Sequence, residues 1–188
     1  MTLRRLLCLL RDDLARRAVI DTKPFNWSFC LKAIASPAAL SVALVRLQGF
    51  LHSNYMPPFA RLVRAVDCMF FNVDVDPAAE IEGGLVFMHA SLIAITGRCR
   101  IGRDCVLSTK VTLLSRWPPC SSDPGDAVLT LGDSVFVGVG ARIVGPVAIG
   151  AHCLVAANAA VQADMPPESL VAGVPARAVR KLKPAEMF

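Results

Sequence analysis

The stretch from Gly83 to Gly97, "GGLVFMHASLIAITG", is almost wholly apolar and carries one ionisable side chain, His89. The chain has three histidines in all, His52, His89 and His152. An imidazole titrates close to neutrality, so a positioned histidine can take a proton from an attacking group at physiological pH. The bland alternative is a histidine that merely packs. The seven cysteines offer a second chemistry, metal binding. They are scattered, no CxxC pair occurs, and no spacing matches the usual zinc ligand pairs, so no metal site is expected.

The elements that must carry His89 are set by composition. At 188 residues, 54% of them hydrophobic, the chain fits one domain with an appendage and has more apolar surface than one copy can bury. The most apolar segment, "AIASPAALSVALVRLQGFL", is broken by Pro37 and Arg46, and no run approaches a span of roughly 20 apolar residues. In "MTLRRLLCLLRDDLARR" the apolar run is too short for a signal peptide. The expectation is a cytoplasmic, oligomeric protein with free thiols, with peripheral membrane contact left open for its apolar cap. The net charge of +5 gathers at Arg4-Arg5, Arg16-Arg17 and Arg177–Lys183, but one Tyr and no recognition motif argue against nucleic acid.

Two periods divide the sequence. Up to about residue 72, apolar residues recur at helical spacing. They form three predicted helices, one of them opened by Ser36 as N-cap and Pro37 at the first helical position. Beyond it, steps of six link Val75, Ile81, Phe87, Ile93, Cys99, Cys105 and Val111. A second series links Leu131, Val137, Ile143, Ile149, Val155 and Val161 without a miss. By chance such a run would appear roughly once in seven hundred registers. A period of six is neither a helix nor simple alternation; it predicts a solenoid of three short strands per coil, with one inner residue per six. Arg103 falls on an inner phase, so the register is expected to slip between Ile93 and Cys105. The reading is a mainly β chain: an α-helical cap over 1–72, coils over 73–165 with an excursion at 114–129, and a tail over 166–188. Residue 89 lies two positions past an inner one, which turns it towards the corner rather than the core.

From Asp74 to Val179 the chain resembles the hexapeptide-repeat acyltransferases, which fold as left-handed parallel β-helices, and within them the serine acetyltransferase branch. "VDVDPAAEI", "HASLIAI", "VTL", "VFVGVGARIVG" and "AGVPARAV" match family stretches in order, and "AGVPAR" after a "MPP" turn is the most specific. The resemblance implies a homotrimer or a dimer of trimers, and a coenzyme A thioester, acetyl-CoA above all, as donor without a metal. It implies that His89 is the general base and that Asp74, fifteen residues earlier, orients it, following the logic of a hydrolase triad. It places coenzyme A along Val139, Gly140, Ala157 and Asn158, with Arg177 and Lys181 towards its phosphates.

The departures are as specific. Where serine-binding members carry Asp before the histidine, this chain has Met88. Their second histidine corresponds to Val128, with Asp126 in the place of the preceding aspartate, and Ser91 is the remaining polar candidate near the base. Apolar groups at two such positions would leave the charges of a free amino acid unpaired. The expectation is therefore an O-acyltransferase acting on a hydroxyl other than that of free serine, in polysaccharide or secondary-metabolite synthesis. Serine O-acetyltransferase proper, N-acylation and a non-catalytic trimeric scaffold are the alternatives. A β-helical carbonic anhydrase is rejected, because His52, His89 and His152 are too dispersed to share a zinc.

Overall fold

The computed structural model describes residues 1–115, 128–183 and 186. Four helices come first: α1 (Leu3–Ile20), α2 (Trp27–Ile34), α3 (Pro37–Ser53) and α4 (Pro57–Phe71). Ser36 caps α3 as its position suggested, its hydroxyl accepting from Ala39 N at 3.3 Å, with Pro37 opening the helix. The short α2 is the helix that the periodicity did not show; Asn26 starts it, accepting from Phe29 N at 2.8 Å. At the far end Asn72 takes a left-handed conformation (φ 53°) that stops α4 and reverses the chain into the first strand.

The strands form three sheets, visited in rotation. The first holds β1 (Val73–Val75), β4 (Ile93–Thr96), β7 (Thr112–Leu114), β10 (Arg142–Val144) and β13 (Ala160–Val161). The second holds β2 (Glu80–Ile81), β5 (Cys99–Ile101), β8 (Leu129–Leu131) and β11 (Ala148–Ile149). The third holds β3 (Val86–Phe87), β6 (Val106–Leu107), β9 (Phe136–Val137), β12 (Leu154–Val155), β14 (Ser169–Gly173) and β15 (Ala176–Lys181). Up to β13 each strand leads into the next sheet, and pairing within a sheet is parallel except between β14 and β15. A tail after residue 165 is thus corrected: β14 continues the third sheet beside β12, and β15 folds back on it.

The period of six is visible in the core, where Leu131, Val137, Ile143, Ile149, Val155 and Val161 are all buried. The earlier series needs a correction. Val86 pairs with Val106 and Ala94 with Thr112, so eight residues separate the first pair of positions and six the second. The slip therefore falls between Phe87 and Ile93, before the stretch where it was expected. Val75, Ile81 and Phe87 are continued by Ile95, Ile101, Leu107 and Leu113, whereas Ile93, Cys99, Cys105 and Val111 belong to the other inward set, level with Leu129 and Val135. Both sets are apolar or thiol and, apart from the half-buried Ile81, buried, so composition alone could not separate them. The excursion expected at 114–129 falls between β7 and β8, which take in Leu114 and Leu129 themselves, and its residues 116–127 lie outside the described ones.

A buried ion pair docks the cap on the first coil. Asp13 of α1 meets Arg46 of α3 through two hydrogen bonds of 2.8 and 2.9 Å, and Asp13 also accepts from the amides of Gly84 and Leu85. Arg46 completes its donors on the carbonyls of Ile81 and Glu82, both at 2.6 Å. Burial pushes the Asp13 carboxyl up, and the Arg46 fork and the two amides pull it back. The arginine that breaks the most apolar segment is thus the residue that fixes it. No single helix among the described residues is long and apolar enough to cross a membrane.

Candidate active site

His89 sits in the turn from the third sheet to the first, and the two additional residues of the first coil are in that turn. The equivalent turns, residues 108–110, 138–140 and 156–158, are shorter by two. Each of these turns has a residue in the left-handed region: Leu92 (φ 55°), Lys110 (φ 59°), Gly140 (φ 71°) and Asn158 (φ 58°). Backbone hydrogen bonds stack them, Lys110 N on Ser91 O, Gly140 N on Thr109 O and Asn158 N on Val139 O, at 3.1, 2.9 and 2.8 Å. The longer turn pushes His89 outwards: it is exposed, with Met88 and Ser91 half-buried on either side. Among the described residues its ring has no hydrogen-bond partner.

The stacking sets His89 on one edge with four of the residues proposed for coenzyme A. Coils repeat at about 4.8 Å, so Val139 lies two turns on, roughly 10 Å, and Ala157 three turns on, roughly 14 Å. Val139 and Ala157 are exposed. Gly140 is needed for its backbone, and a Cβ there would run into the side-chain oxygen of Asn158. The room this glycine leaves is therefore filled by Asn158, and the open flank is made by Val139 and Ala157. Arg177 and Lys181 are exposed on β15, at the end of the third sheet away from the cap.

Asp74 lies on β1, in the first sheet, level with Ala94 of β4. Its carboxylate is engaged from the helical side: Arg64 Nε of α4 donates to Oδ1 at 2.5 Å. The guanidinium holds the Asp74 carboxyl below its ordinary range, with the Cys68 thiol as a weaker contributor. No hydrogen bond joins Asp74 to His89. Arg64 and Cys68 are thus site neighbours that the sequence did not announce. They sit ten and six residues before Asp74, and only the reversal at Asn72 brings α4 against β1.

Val128 is on a different edge, the turn from the first sheet to the second, where it lines a recess with Ala78, Glu80, Arg98, Cys99 and Arg100. The first-sheet strand β4 spans the gap between the two edges, a separation of roughly 10 Å or more. One copy of the chain does not set Val128 opposite His89. Asp126 lies outside the described residues. Among the described residues, no cluster of His, Cys, Asp or Glu is arranged to hold a metal ion, and the six described cysteines are free.

No family model matches the chain. Sequence relatives do. Serine acetyltransferase of Mycobacterium tuberculosis is 29% identical over 161 residues, 80% of this chain and 69% of the relative. That of Haemophilus influenzae is 34% identical over 116 residues, 62% of this chain and 42% of the relative. The match thus spans less than half the length of the Haemophilus protein. Among solved structures, serine acetyltransferase of Neisseria gonorrhoeae in complex with serine superposes with a TM-score of 0.82 at 25% identity, covering 94% of this chain and 70% of that one. Serine acetyltransferase of Brucella abortus in complex with coenzyme A gives 0.80 at 25% identity, covering 96% and 70%. The resemblance read from the motifs is borne out, and the chain is serine acetyltransferase-like. A polysaccharide or secondary-metabolite acceptor finds no support among these relatives, and neither does membrane contact.

Proposed function

We propose that this serine acetyltransferase-like chain is an O-acetyltransferase that uses acetyl-CoA, with L-serine as the acceptor to test first. The reading is carried by one observation: His89 is exposed in an elongated turn on the same edge as Val139 and Ala157. A thioester lying along that edge would present its carbonyl to a hydroxyl whose proton His89 can take. The hydroxyl oxygen forms the new bond to the acyl carbon, the carbon–sulfur bond breaks, and the proton held by His89 goes to the departing thiolate. With Arg64 on Oδ1, Asp74 would turn its other carboxylate oxygen to the second ring nitrogen of His89 in the working site. That contact would fix the tautomer and stabilise the imidazolium.

The same reading makes the working unit a homotrimer of closed left-handed β-helices, cytoplasmic, with the cap available for pairing trimers. A site that needs both the His89 edge and the Val128 edge must draw them from two copies. Exposed apolar side chains on the His89 edge, Leu92 at 53% and Val139 at 47%, suit an edge that a second copy covers.

Met88 and Val128 favour a second reading, a less polar hydroxyl acceptor. The relatives with bound serine support serine instead, as does the presence of Ser91 beside the base. Thiol release from acetyl-CoA, followed with L-serine and with a panel of simple alcohols, separates the two. Saturable release with serine that disappears in His89→Ala supports the first reading, and release only with alcohols supports the second. No release with any acceptor would favour a scaffold.

A further inference from the structure

We infer that the cavity between the helical cap and the first coil is a binding site for an alkyl chain next to the transfer centre. The inference rests on the reading of His89 as that centre. The cavity has a volume of about 220 Å³ and lies between α1, α3 and β3. Leu10 and Leu14 form one wall, Ala38 and Ala43 the other, and Val86 and Phe87 the floor. The alanines are what keep it open, since α3 offers small side chains where it faces α1.

Its polar neighbours, Asp13 and Arg17, are already engaged within the protein. Asp13 has its four donors from Arg46, Gly84 and Leu85. Arg17 donates to the carbonyl of Phe87 at 3.0 Å and to Asp21 at 3.2 Å. A ligand that needed several hydrogen bonds would find little here beyond the remaining N–H donors of Arg17, whereas an aliphatic chain needs none. An apolar cavity of roughly 150 Å³ can stay dry and take up benzene, so this one has room for about eight or nine carbons.

Position gives the cavity its meaning. Phe87 is its floor, and His89 is two residues further along the chain, no more than roughly 7 Å away at the rise of an extended strand. The Phe87 carbonyl that Arg17 holds belongs to the peptide leading into Met88. An alkyl group seated between α1 and α3 would therefore have its other end at the His89 turn. Two molecules could bring such a chain: the donor, as a longer acyl thioester, or the acceptor, as an aliphatic alcohol.

The test uses the full-length protein, with octanoyl-CoA, acetyl-CoA and 1-octanol as probes and titration calorimetry as the readout. Ala43→Phe fills the cavity, and Ala39→Leu is a milder filling variant should Ala43→Phe melt below the assay temperature. If the donor brings the chain, octanoyl-CoA binds at least tenfold tighter than acetyl-CoA and loses that advantage in the filled variant, where acetyl-CoA affinity is unchanged. If the acceptor does, 1-octanol binds to the wild type and not to the filled variant, and the two thioesters bind alike. Equal affinities for the thioesters together with no 1-octanol binding, or binding that survives filling, overturns the inference. A wild type that binds 1-octanol but no coenzyme A thioester would uphold the cavity and sink the function proposed above, so the two failures are distinct.

Discussion

Arg64 Nε and Asp74 Oδ1 are 2.5 Å apart, so the carboxylate proposed to orient the base is already tied to the helical cap. The contact joins α4 to β1 across the reversal at Asn72 and connects the cap with the candidate site. Its pH dependence follows from the sign of the shift. Asp74 is held below its ordinary range in the folded chain, so the pair contributes stability above the unfolded carboxylate range and loses it as pH falls. Arg64→Gln should therefore melt lower than wild type at pH 7, with the difference closing below about pH 4. A constant difference across that range would mean the guanidinium acts through packing rather than charge. Both side chains are partly exposed, so the effect should be modest.

Asp67 gives the opposite sign. It is 1% exposed between α3 and α4, near Ser41, and burial pushes its carboxyl up to about 7. The folded chain then binds a proton that the unfolded chain has released, and stability falls as pH rises from about 4 to 7 before levelling off. Asp67→Asn should remove that slope and raise the melting temperature at pH 8 relative to wild type. The gain is of the order of 4 kcal/mol or less, by the conversion of pKa units to energy. Parallel melting curves of the two proteins against pH would contradict the assignment.

The Asp13–Arg46 pair should be costly to break from one side. Arg46→Met leaves the Asp13 carboxylate buried with only the Gly84 and Leu85 amides, and removes the donors to Ile81 and Glu82. A loss of about 3–5 kcal/mol in denaturant unfolding is expected. The double change Asp13→Leu with Arg46→Met should recover part of it, since no lone charge remains. A single-variant cost under about 1 kcal/mol would place the pair among ordinary surface bridges.

The sequence made some of this legible and hid the rest for identifiable reasons. From Leu131 to Val161 every turn has the same length, so counting by six finds the inner positions directly. At Met88–Leu92 the turn is longer by two, and the count passes from one inward set to the other without meeting a polar residue. Arg103, which raised the suspicion of a slip, marks a place downstream of the real one. The helix α2 was missed because eight residues carry too little periodicity, although Asn26 is a readable cap. His89 was found because it is the lone ionisable group of its stretch. Arg64 and Arg17 were not, since nothing local distinguishes an arginine that folds onto the site from one that faces water. Val128 was placed opposite His89 from the resemblance, and a single chain sets them on separate edges.

The central claim is that His89 is the base of an acetyl transfer, and thiol release from acetyl-CoA by wild type and His89→Ala tests it most directly. His89 is exposed and its ring makes no hydrogen bond among the described residues, so the variant should keep its circular dichroism and melting temperature. With L-serine, or with whichever alcohol the wild type accepts, turnover is predicted to fall by roughly a hundredfold or more, the usual contribution of a positioned base. A folded His89→Ala protein that releases thiol at the wild-type rate would contradict the account.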